Sequence, residues 1–204
     1  MRSFACNKFA AGRGQDPARR QPDLTLTLTL FRHAKSSWDD SIPRDFDRPL
    51  NKRGEKAAVL MGKWARDNNI AFDHVVASPA VRVIDTIDQF VKGTGERIEA
   101  TWDRRIYLAS SATLMDVIRD QADEYKSILM VGHNPGMEDM VFDLVPDDGS
   151  SPLREVVWEK YPTAAVARVE LDIERWADID RKCGRLTHFI RPRDLDPELG
   201  PEEE

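Results

Sequence analysis

Four residues of this chain are of types that handle phosphate, and they occur in the order Arg32-His33, Arg82, His133. Guanidinium groups fork onto two oxygens of a tetrahedral dianion and stay charged at any physiological pH. A neutral imidazole nitrogen beside them is a nucleophile near pH 7. Attack on phosphorus would give a phosphohistidine, which water would then hydrolyse. The attacking nitrogen must keep its lone pair, so the other ring nitrogen should donate to a fixed acceptor. A second histidine, if protonated, would stabilise the equatorial oxygens of the transition state. Phosphoryl transfer relies mainly on such positioning and charge. Each residue also has a plainer reading. A histidine at a strand end is more often an ordinary hydrogen-bonded residue, as we read His74 and His188. Arg82 could simply pair on its helix, and Gly132-His133-Asn134-Pro135-Gly136 is built of turn residues.

The elements that must carry these residues decide between the readings. "LTLTLTLF", Leu24 to Phe31, alternates with period two and predicts a strand with one face on a core, ending at Arg32-His33. A Pro-broken, charged stretch to Pro49 reads as a loop. Asn51 is a plausible N-cap for a helix in which Ala57, Leu60, Met61, Trp64 and Ala65 recur at helical spacing to about Asn68. "FDHVVAS" predicts a short buried strand ending at Ser78-Pro79, and Val83, Ile84, Ile87, Phe90 and Val91 a helix stopped by Gly93-Thr94-Gly95. A further helix is predicted around Thr113 to Gln121. "SILMVG" predicts a strand running into His133, Met137 to Leu144 a helix, and "AAVARVEL" and "GRLTHFI" closing strands. Strands alternating with amphipathic helices imply an α/β sheet, which binds ligands beyond the carboxyl ends of its strands. Three separate strand ends thus offer Arg, His, Arg and His to one sheet edge.

Composition sets the frame. The chain has 204 residues, 41% hydrophobic and 32% charged, which suits one domain with tails. A net charge of -6 gives no general reason to expect nucleic-acid or membrane binding, though a local basic pocket remains open. Cys6 and Cys183 form no framework or zinc spacing, which fits a reducing, cytoplasmic setting. No apolar run approaches the roughly 18 residues of a membrane span. Residues 1–23, with five basic residues and no apolar core segment, read as a disordered tail or an upstream start, and residues 196–204 as an acidic tail. Between them, residues 24–195 form the expected folded domain.

"LTLFRHAKSSWDD" resembles the Arg-His-Gly motif of the histidine phosphatase superfamily, "SPAVR" its second-arginine motif and "ILMVGHNPGME" its second-histidine motif. "DFDRPLNKRGEKAA", "YPTAA" and "FIRPRDL" strengthen the resemblance and point to the SixA-type branch of phosphohistidine phosphatases. The resemblance implies a three-layer α/β/α sandwich with a mixed, mostly parallel sheet of phosphoglycerate-mutase type and no large lid insertion. It implies that His33 is the phosphorylated nucleophile and that Arg32 and Arg82 hold the phosphoryl oxygens. His133 completes the pocket, and Asn134 offers its backbone N–H or side chain to phosphate. No metal or organic cofactor is implied.

The departures narrow the expectation. Ala34 replaces the usual Gly and Lys35 the common acidic residue, while Asp39 stands where many members have Asn. Trp38 fits the wider pattern, although a packing role explains it equally well. "RIYLASSATL", where many members place a proton-donating glutamate, holds no carboxylate. An alkoxide leaving group needs a general acid, whereas imidazole departs readily from phosphohistidine. Asp39, Asp45 and Asp47 remain possible donors, with loop solvation or pairing to Arg44 and Arg48 the favoured reading of the latter two. The expected function is removal of phosphate from phosphohistidine on a signalling or phosphocarrier protein. The alternatives are a small-molecule phosphomonoesterase of the same mechanism, acting on a small phosphorylated substrate, and a non-catalytic phosphate-binding module.

Overall fold

The computed structural model describes residues 26–38 and 44–200. Leu24, Asp39 and the segments read as tails before Leu26 and after Gly200 lie outside the described residues. Six strands form one sheet in the order β3-β2-β4-β1-β5-β6: β1 Leu26–Arg32, β2 His74–Ala77, β3 Ala100–Trp102, β4 Ser127–Gly132, β5 Val166–Leu171 and β6 Gly184–Ile190. The first four run parallel, and β5 and β6 close the sheet antiparallel. Helices α1 Lys52–Asp67 and α2 Val81–Thr94 cover one face. Helices α3 Ser111–Arg119, α4 Gly136–Leu144 and α5 Pro152–Glu159 cover the other. The fold is the expected three-layer α/β/α sandwich.

Local chemistry explains the boundaries. Asn51 caps α1 by accepting the Gly54 N–H on its side chain, and Ser110 caps α3 by accepting from Thr113. Gly95, in the left-handed region at φ 76°, ends α2. Gly93 is therefore inside the helix rather than its stop. There it faces Gly62: a Cβ on Gly93 would stand 2.1 Å from the Val59 carbonyl oxygen, so these glycines let α1 and α2 cross backbone to backbone. Strand β3, helix α5 and the four-residue α6 (Pro192–Leu195) carried too little periodicity to be predicted.

Strand β1 is buried on both faces, not one. Leu26, Leu28 and Leu30 join the cluster under α3 and α4, and Phe31 joins the cluster under α1 and α2. Thr27 and Thr29 are only 8% and 0% exposed. The strand lies in the middle of a sheet covered on both sides, and threonine suits that place because it is β-branched and Thr29 Oγ1 accepts from Arg168. The segment Asp196 to Gly200, expected in the acidic tail, folds back instead. Lys56 pairs with Asp196 and Glu198, and Leu199 packs on the α1/α2 core.

Candidate active site

The register of the sheet brings the phosphate-type residues together. Arg32 pairs with Gly132 across the parallel β1/β4 ladder, so His33 and His133 are the next residues of two adjacent strands. Parallel strands lie about 4.8 Å apart, and the two imidazole centroids are 5.1 Å apart. Ser78 follows β2 at the same level, its N–H donating to Val131, and α2 starts three residues later to deliver Arg82. The loop after His33 is clamped by both helices of that face. Asn51 N–H donates to the Lys35 carbonyl at 3.0 Å. Thr86 Oγ1 accepts from Ala34 N–H at 3.0 Å and donates to the Arg82 carbonyl at 2.6 Å. Ala34 is fully buried in this clamp.

Hydrogen bonds fix both imidazole tautomers. His33 Nδ1 lies 2.7 Å from the Ala34 carbonyl oxygen, which can only accept, so Nδ1 carries the proton. Nε2 then holds a lone pair and faces Arg82 Nε at 3.3 Å. Arg82 can only donate, so its contact with His133 Nδ1 at 3.2 Å places the His133 proton on Nε2, which donates to Ser78 Oγ at 2.9 Å. Burial, aided by Arg82 and Arg32 and opposed by the Ala34 carbonyl, pushes His33 down to about 4. Burial, then His33 and Arg82, push His133 down to about 3. Both rings are neutral at pH 7. A phosphate dianion between them would oppose these shifts and favour a proton on His133.

Arg82 is held by a carboxylate that sequence reasoning left in the loop. Asp45 accepts from Arg82 through its backbone carbonyl at 2.6 Å and Oδ2 at 2.9 Å. It also accepts from Arg48 at 2.8 Å and from the Tyr107 hydroxyl at 2.9 Å. The Arg48 pairing was expected, as was that of Asp47 with Arg44, but the Arg82 and Tyr107 contacts were not. They join residues 37 and 62 positions apart, which no local pattern reveals. Burial would raise the Asp45 pKa, but the hydrogen bonds from Tyr107, Arg48 and Arg82 outweigh it and hold the group below the ordinary aspartate range.

Arg32 points its Nη1 at the Tyr161 carbonyl at 2.5 Å, and Tyr161, wholly buried, donates its hydroxyl to Leu30. That is how "YPTAA" serves the site: it props the first arginine. Asn134 is turned away from the cleft. Its amide hydrogens go to Glu138 at 2.8 Å and to the Tyr161 carbonyl at 3.3 Å, leaving only its backbone N–H to offer a ligand. Trp38 is not a packing residue, being 84% exposed with the Arg48 guanidinium 3.7 Å from its ring centroid. His74 stacks on Tyr125 and His188 meets Trp64 edge-on, ordinary contacts away from the site.

Arg32, His33, Asp45, Arg48 and Arg82 line a cleft of about 780 Å³. Its far wall includes Lys160, Pro162 and Thr163 before β5 and Pro192, Arg193, Leu199 and Gly200 of the C-terminal segment. Among the described residues, no three His, Cys, Asp or Glu side chains gather as a metal site, and no helix is long and apolar enough to cross a membrane.

An open mixed sheet with arginines and histidines gathered beyond its central strands defines the phosphoglycerate-mutase-like class of α/β proteins. The model of the histidine phosphatase superfamily (branch 1) matches residues 28–106. The uncharacterized protein Rv1276c of Mycobacterium tuberculosis is 35% identical over 164 residues, covering 80% of this chain and 100% of that protein. A solved structure from Agrobacterium tumefaciens that carries the name phosphohistidine phosphatase SixA is 28% identical, with a TM-score of 0.69 over 82% of this chain and 98% of that one. A structure so named from Nakamurella multipartitia is 26% identical, with a TM-score of 0.72 over 82% of this chain and 96% of that one. The chain belongs to the histidine phosphatase superfamily, in its SixA-type branch.

Proposed function

We propose that this chain removes phosphate from phosphohistidine on a protein through a phosphohistidine intermediate on His33. The observation that carries the proposal is the state of the cleft's one carboxylate among the described residues: Asp45 is held ionised by three donors and has no proton to give. A site without a ready acid suits a leaving group that departs unaided. A phosphohistidine ring protonated on its far nitrogen leaves as neutral imidazole, taking the electrons of the broken P–N bond. His33 Nε2 supplies the pair for the new P–N bond. The Ala34 carbonyl, accepting from Nδ1–H, stabilises the positive charge the ring acquires. Arg32 and Arg82 bind the phosphoryl oxygens; as Arg82 Nη2 passes from His133 Nδ1 to a phosphoryl oxygen, His133, protonated in the presence of the dianion, donates from Nδ1. Water then attacks the phosphorus from the vacated side and returns His33 to neutrality, releasing inorganic phosphate. The names carried by the Agrobacterium and Nakamurella structures support the same substrate class.

Replacing His33 with Ala should abolish turnover of a phosphohistidine peptide and the acid-labile label trapped on the protein, with the melting curve retained. Full activity in H33A sinks the mechanism. A strong preference for a sugar phosphate over phosphohistidine would assign the site to small phosphomonoesters instead.

A further inference from the structure

The cleft carries more positive charge than one phosphoryl group needs. Lys35, Lys160 and Arg193 line it beyond the pocket arginines, on the loop after β1, the end of α5 and the C-terminal segment. None of the three is in ion-pair contact with a carboxylate of the described residues. Elsewhere some cations pair with a carboxylate, as Lys56, Arg105, Arg119 and Arg185 do, and others, such as Lys63 and Lys182, stand singly among the described residues rather than gathered round a cleft. In a protein of net charge -6, three cations gathered at one cleft without an ion-pair contact among the described residues concentrate positive potential there. The same cleft has an apolar mouth. Trp38 and Leu108, two of the five large hydrophobic residues exposed among those described, both line it, at 84% and 55% exposure. A solvated metabolite would leave these surfaces in water, whereas a protein face would bury them.

We propose that the cleft mouth is a docking surface for an acidic protein face, in which Asp or Glu residues around the phosphohistidine meet Lys35, Lys160 and Arg193 and an apolar side chain covers Trp38 and Leu108. The inference rests on the phosphohistidine reading and names what selects the partner. Lys35 thereby gains a purpose that the departure from the usual acidic residue left open: an acid there would repel the partner.

The test uses two phosphohistidine peptides of equal length, one with Asp and Glu around the phosphohistidine and one with Asn and Gln in their place. At low salt the protein should favour the acidic peptide by about tenfold in kcat/KM, a margin that shrinks as ionic strength rises. In K160E/R193E the preference should vanish or reverse, and the neutralising K160Q/R193Q should lose it without reversal, which separates charge recognition from misfolding. Equal kcat/KM for both peptides in the unmodified protein overturns the docking surface while leaving the phosphohistidine reading intact. Turnover of neither peptide overturns that reading and this inference with it. A preference for a bisphosphorylated sugar that the same variants abolish would assign the cations to a small molecule and also overturn it.

Discussion

His33 keeps its Nε2 lone pair because Nδ1 already donates to the Ala34 carbonyl, and that carbonyl belongs to the very next residue. The orienting acceptor is local, but its effect depends on the buried clamp that fixes Ala34. The need for such an acceptor followed from the chemistry of a histidine nucleophile; its identity did not. Asp45 was harder still. Its sequence neighbours Arg44 and Arg48 explain a charged loop, and only the fold sets it against Arg82. Asp45→Asn keeps the size of the side chain and removes the charge that positions Arg82. It should lower kcat/KM by roughly tenfold or more through misplacement of the guanidinium. Because Asp45 has no proton to give, phosphohistidine and a sugar phosphate should lose by the same factor. A much larger loss on the sugar phosphate would make Asp45 a proton donor after all.

At the scale of elements, the site is held by strand ends in register and by two helices that press on the loop between them. The two helices cross backbone to backbone at Gly62 and Gly93. Gly93→Ala puts a Cβ against the Val59 carbonyl, with backbone and no flexible side chain in the way. The helices must part, at a cost of about 1–3 kcal/mol, read as a lower melting temperature. An unchanged melting temperature would show that the crossing has room for a methyl group. The long periodic helices and the parallel strands were legible because hydrophobic period is a local signal. Strand β3, with three residues of which two are exposed, has no period to read.

For the whole molecule, folding commits both site histidines to the neutral form. Unfolded, each would take a proton near 6.5; folded, His33 resists until about 4 and His133 until about 3. The unfolded chain therefore binds more protons across that window, and stability rises with pH there. This contribution is fully present above about pH 6.5, declines as pH falls below it and levels off once pH passes the folded values. Urea unfolding between pH 7 and pH 4 should show a declining midpoint, with a shallower decline in H33A and H133A. Equal slopes in all three would place the acid sensitivity elsewhere. His133 is buried and His33 partly so, both beside arginines, and the cost of gathering the site falls on the stability of the entire fold.

The sequence by itself determined which residue types end the strands, the period of the long elements, and hence a sheet edge carrying two arginines and two histidines. These are local properties, set by side-chain chemistry and by spacing within one element. The tertiary structure alone decided which nitrogen of His33 carries the proton, that Asp45 rather than solvent holds Arg82, that Asn134 faces Glu138, and that the C-terminal segment walls the cleft. Each of these joins groups through burial or through a contact between distant elements, and a hydrogen bond across the fold leaves no periodic trace in the chain that makes it.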